Sequence, residues 1–160
     1  MGPRVKGAGP GAVLRFHEGD VARIHVHNRL TTEQTSTHWH GVLVPNLEDG
    51  VPYLTTPPIE PGESRTFEFL LKHSGTYWYH SHTGLQEQRG VHGAIVIEPK
   101  VDAPKRSDLP PIDREEVVEL SDWTNENVKD VMPTTLPGTD WYAVRQGPPP
   151  TPRGAFQTGT

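Results

Sequence analysis

The chain has 160 residues, a formal net charge of −5 and only 32% hydrophobic residues, enough for one modest core. The acidic balance, with no basic cluster, argues against nucleic acid and anionic membrane as partners. No apolar run approaches the roughly 20 residues of a membrane span. The absence of cysteine removes disulfides, thiolate ligands and thiol nucleophiles together. With 16 glycines and 17 prolines, the composition favours short strands joined by turns over long helices.

Residues 1–11 hold no apolar stretch of signal-peptide length. The expectation is that the protein stays inside the cell or that an export segment lies outside this sequence. Residues 12–17 read as a first strand, followed by a turn at Glu18-Gly19-Asp20. Residues 21–28 alternate cleanly: Ala22, Ile24, Val26 and Asn28 form the core-facing set, with Val21, Arg23, His25 and His27 opposite. His25 and His27 are thereby read as solvent-facing. Residues 35–44 read as a strand that breaks at Pro45-Asn46, with a turn over Asp49-Gly50-Val51-Pro52. Pro57, Pro58 and Pro61 make 53–65 a surface loop, because proline cannot serve a central strand.

Residues 64–71 alternate again, with Phe67 and Phe69 on one side. The aromatic run 76–82 has high β propensity, 83–93 is punctuated by glycine, and 94–98 is a short apolar strand ending at Pro99. This spacing of strands and turns predicts an all-β sandwich or barrel. From Lys100 the chain is charged and proline-rich, a linker by composition. Residues 115–120 read as one more strand, 125–132 as one or two helical turns stopped by Pro133 and Pro137, and 146–160 as a disordered end.

Within these strands lie two short pairs, His38-Trp39-His40 and His80-Ser81-His82. Residues i and i+2 of a strand share a face, so each pair presents two imidazoles together, with Trp39 and Ser81 turned away. If the two strands are neighbours, four imidazoles converge, and imidazole suits zinc, copper, iron and nickel. The bland alternative is four hydrogen-bonded core or rim groups, yet no partner pattern in the sequence would satisfy all four.

Thr37-His-Trp-His-Gly41, Asp49-Gly-Val-Pro52, Pro58-Ile-Glu-Pro-Gly62 and Gly75-Thr-Tyr-Trp-Tyr-His-Ser-His82, in this order, resemble the first cupredoxin domain of a multicopper oxidase. Gly84-Leu-Gln-Glu-Gln-Arg-Gly90 with Gly93-Ala-Ile-Val-Ile97 is most similar to the copper-resistance A branch. The resemblance implies a cupredoxin-like Greek-key β-sandwich over 1–99, a linker over 100–114 and an incomplete second cupredoxin domain over 115–160. It implies copper as cofactor, with His38 as ligand to the type 2 copper of a trinuclear cluster and His40, His80 and His82 as ligands to the type 3 pair. Asp49 matches the family acid that assists proton delivery to dioxygen; its ordinary reading is a turn aspartate before Gly50.

In this family the other half of the cluster, and a blue copper held by cysteine, come from the last domain. The cysteine-free chain is therefore expected to be a partial oxidase, binding copper ions but needing a missing cupredoxin domain or another subunit to reduce dioxygen. Whether it is an enzyme alone stays open. The alternative is a stand-alone, non-catalytic copper or zinc module; a cupin lacks support because the downstream glycine-proline-histidine pattern is absent. The resemblance implies a periplasmic or extracellular location.

Overall fold

The computed structural model describes residues 10–100 and 113–121. The expected linker over 101–112, the helical turns over 125–132 and the tail from 146 lie outside the described residues. Among the described residues there are six strands: β1 (Leu14–His17), β2 (Val21–His27), β3 (His38–His40), β4 (Ser64–Leu70), β5 (Gly75–His80) and β6 (His92–Glu98), with a 3-10 turn at Asn46–Glu48. They form a four-stranded sheet in the order β1-β6-β5-β3 and a two-stranded sheet of β2 and β4. The β1–β6 pair is parallel and the rest are antiparallel.

Alternation decides which faces meet. Along β4, Phe67 and Phe69 are buried while Thr66, Glu68 and Leu70 are exposed. Along β2, Ala22 is buried and Arg23, His25 and His27 are exposed, as the sequence pattern predicts. Trp39 and Tyr79 are register partners on β3 and β5 and point the same way, into the space between the sheets. Trp39 meets Phe67 edge-on, with ring centroids 5.1 Å apart at 82°. Ile95 and Ile97 complete this core. β6 is buried on both faces from His92 to Ile97, the pattern of a central strand.

Five sequence readings shift. The strand expected over 35–44 survives only as β3, because Gly41 adopts φ 82 and turns the chain, with Val42 N–H donating to Trp39 C=O at 3.1 Å. β5 stops at His80, so His82 lies just beyond the ladder, and β6 starts at His92, two residues before the expected Ala94. The proline loop is not wholly superficial: Ile59 bridges to Thr35 and is buried. Residues 113–121 form no strand ladder, yet they lie along the main sheet through Arg15–Glu115 and through His92 Nδ1, 2.5 Å from Glu119. Among the described residues no helix is long and apolar enough to cross a membrane.

Candidate metal centre

The antiparallel register sets His38 opposite His80 and His40 opposite Trp78. Because Trp39 and Tyr79 fill the core, these four side chains occupy the opposite face of the four-stranded sheet. Ring centroids of His38 lie 5.6 Å from His40, 5.5 Å from His80 and 5.0 Å from His82. His80 and His82 stack at 4.8 Å. One nitrogen each from His38, His40 and His80 falls within 4.8 Å of the others. All four histidines singled out in the sequence therefore meet in one patch.

The surroundings set what each ring offers. His38 Nδ1 lies 2.8 Å from the Asp49 carbonyl oxygen. A carbonyl only accepts, so Nδ1 carries the proton and Nε2 keeps a free lone pair, the tautomer a ligating imidazole needs. The Asp49 carboxylate sits beside the same nitrogen at 3.4 Å. Asp49 thus holds His38 through its backbone first and adds its charge second. Behind it Gly50 adopts φ +79 and presses the loop onto Thr37.

His80 is the most enclosed of the four. Trp78 stacks on it at 4.0 Å and 14°. A Glu87 carboxylate oxygen is 2.7 Å from its Nδ1, yet that buried nitrogen has no hydrogen-bond partner. The two observations agree if the carboxylate lies off the N–H direction, a close charge contact without an aligned hydrogen bond. On the other side, His80 Nε2 is 3.2 Å from His40 Nδ1. Two nitrogens bound to one ion at about 2.0–2.1 Å stand roughly 3 Å apart, so this pair fits a shared metal with little movement.

Burial first, and the neighbouring His82 second, push the His80 pKa down to about 4. His82 is lowered by burial and by His38. Both rings are neutral at pH 7, with lone pairs available. The unfolded chain takes up a proton at His80 near the ordinary value of about 6.5, whereas the folded chain resists until about 4. Stability of the metal-free chain should therefore be fully present above about 6.5 and fall as pH drops toward 4. Urea midpoints measured at steps across that window check this, and His80→Gln should flatten the fall.

A buried amide ties the two histidine segments together. Gln86 is fully buried; its Oε1 accepts from Thr35 Oγ1 at 2.7 Å and Ser81 Oγ at 2.9 Å, and its Nε2 donates to Gln34 C=O at 2.8 Å. Ser36 Oγ in turn accepts from His82 N–H at 2.9 Å and lies 3.1 Å from Thr83 Oγ1. This polar lattice positions His82 where the ladder no longer does. The sequence reading missed Trp78, Gln86 and Glu87. Trp78 was within reach, since it precedes His80 by two residues and shares its face. Gln86 and Glu87 carry no such signal in a glycine-punctuated loop.

The family model described as multicopper oxidase matches residues 3–102. Copper resistance protein A of Escherichia coli is 48% identical over 138 residues, covering 86% of this chain and 22% of that protein. Among solved structures, Fet3p, described as a multicopper oxidase that functions in iron import, aligns with a TM-score of 0.62 and 34% identity, over 79% of this chain and 23% of its own. Laccase from Botrytis aclada aligns with a TM-score of 0.55 and 44% identity, over 57% and 17%. These likenesses bear out the all-β, cupredoxin-like Greek-key sandwich. The chain spans about a fifth of the length of the curated relatives it matches, 22% in the case above.

Proposed function

This chain belongs to the multicopper oxidase family, and from that premise we propose that it supplies half of a trinuclear copper cluster that reduces dioxygen to water while a phenol or cuprous ion is oxidised. The observation that carries this reading is the single patch of His38, His40, His80 and His82, with the His38 tautomer fixed and the His40–His80 nitrogens 3.2 Å apart. Imidazole ligands without thiolate suit cupric ion, which heads the divalent affinity order.

In this reading His38 binds the type 2 copper and His40, His80 and His82 the type 3 pair. Copper held there supplies the one-electron redox changes. The residues of the chain do the rest: Trp78 stacks over His80 and keeps water from one side. The Asp49 carboxylate, with 27% of its side chain exposed, reaches both solvent and the His38 edge, so it can pass protons inward. Glu87 sets its carboxylate against His80, and its charge acts to raise the basicity of the neighbouring His82 ring.

The other histidines do not complete the cluster. His73 Nε2 accepts from Leu43 N–H and its Nδ1 lies 2.6 Å from Tyr77 Oη. His92 is engaged by Glu119, and His17 sits beside Asp20 on β1. The remaining ligands and the cysteine-bound blue copper therefore come from another cupredoxin domain or subunit, with 1–99 as the copper-binding domain, 100–114 as the linker and 115–160 as the start of the next. A periplasmic or extracellular site of action accompanies this role. The cysteine-free ligand set also favours, as a second reading, a stand-alone copper or zinc module without turnover.

Copper loading, metal counting and oxygen uptake with a phenolic donor test these readings. The expected result is bound copper that falls on His38→Gln/His80→Gln substitution, with no oxygen uptake above that of free copper. Turnover by this chain alone would overturn the half-site, and copper binding indifferent to the substitutions would sink both readings. Turnover gained only on adding a cysteine-bearing cupredoxin partner would separate the oxidase from the stand-alone module.

A further inference from the structure

A third His-X-His pair lies on the other side of the molecule, and we propose that His25 and His27 form a second, independent cupric-ion site on the outer face of β2. Their side chains are exposed, and the core separates them from the cluster face. They are thus no part of the cluster.

The supporting geometry is cross-strand. His25 is the register partner of Thr66, and His27 of Ser64. His25 Nδ1 is 2.8 Å from Thr66 Oγ1, and His27 Nδ1 is 2.7 Å from Ser64 Oγ. The same relation is built twice, two residues apart, so both rings are anchored through the same nitrogen. The hydroxyl oxygens can accept from Nδ1–H, and in that tautomer each Nε2 keeps a lone pair directed away from its anchor. Orientation of a ligating imidazole through its other nitrogen is how protein metal sites fix tautomer and aim.

The spacing suits a chelate. Positions i and i+2 of a strand are about 6.6 Å apart along the chain, and flexing of two side chains closes that gap. The chain contains its own measure of this: at the same spacing on β3, His38 and His40 bring nitrogens within 4.8 Å of each other. Arg23, two residues before His25 on the same face, is paired with Glu68, which offsets its repulsion of a metal ion. Two imidazoles with the remaining positions filled by water suit the tetragonal preference of cupric ion, with nickel and zinc weaker.

Equilibrium dialysis of the full chain against cupric ion near neutral pH provides the test. Wild type should hold one more cupric ion than His25→Gln/His27→Gln, while Ser64→Ala/Thr66→Ala should keep the count and bind that ion about tenfold more weakly. Equal counts and affinities in wild type and the histidine variant would overturn the site. A second measurement needs no variant: when wild type is titrated to saturation, paramagnetic cupric ion should bleach the His25 and His27 ring resonances. Sharp signals from both rings at saturation would also overturn it. Neither readout depends on whether the cluster face binds copper.

Discussion

Gly50→Ala is expected to destabilise the chain by about 4 kcal/mol and to release copper from the cluster face. The backbone at Gly50 has φ +79, a conformation that costs an L-residue about 1–2 kcal/mol. The larger cost is contact: a Cβ there would stand 1.8 Å from the Thr37 carbonyl oxygen and 2.6 Å from its carbon. Both are backbone atoms, so no side-chain rotation relieves the overlap. Either the Asp49-Gly50 loop lifts, and His38 loses the carbonyl that fixes its tautomer, or the start of β3 moves and carries His38 with it. Urea unfolding and copper retention measure the two consequences. A variant with the wild-type midpoint and full copper retention would contradict this account.

Gln86→Leu should cost about 3 kcal/mol although leucine is apolar and similar in size. The side chain it replaces satisfies the Thr35 and Ser81 hydroxyls and the Gln34 carbonyl, in a place where Thr35 and Ser81 are themselves buried. Leucine removes the partner and leaves those groups dry, at about 1–3 kcal/mol each before relaxation. Because the same lattice positions His82, copper affinity should fall along with the urea midpoint. Unchanged stability would mean that the amide is not the hub its contacts describe.

Much of this architecture is legible as a period of two. The alternation in 21–28 and 64–71 gives the two strands that face the core with Ala22, Phe67 and Phe69, and the two His-X-His pairs announce one shared face each. What the pattern could not give is where a ladder ends. β3 stops because Gly41 turns left-handed beneath the Tyr77 ring, whose Cδ1 is 3.0 Å from the Cβ position, a constraint set by a residue on another strand. His82 leaves β5 for the same kind of reason, since its N–H is taken by Ser36 instead of a strand neighbour. Gln86 was invisible because a glutamine among glycines reads as solvated loop, while its partner Thr35 lies 51 residues upstream. Long-range polar satisfaction has no local period.

The parallel union of β1 with β6, Leu14 opposite Ile95, has a consequence for how the molecule is made. During synthesis the first strand leaves the ribosome long before its only described ladder neighbour exists. The β2–β4 ribbon can close earlier, and the β3–β5 pair, with its histidines, already has both members once His80 has emerged. Joining β1 to the sheet then requires closing the longest loop among the described strand pairings, a step that adds entropy cost and slows folding toward the millisecond-to-second range of β proteins. β1 acts as a clasp, fastened last during assembly.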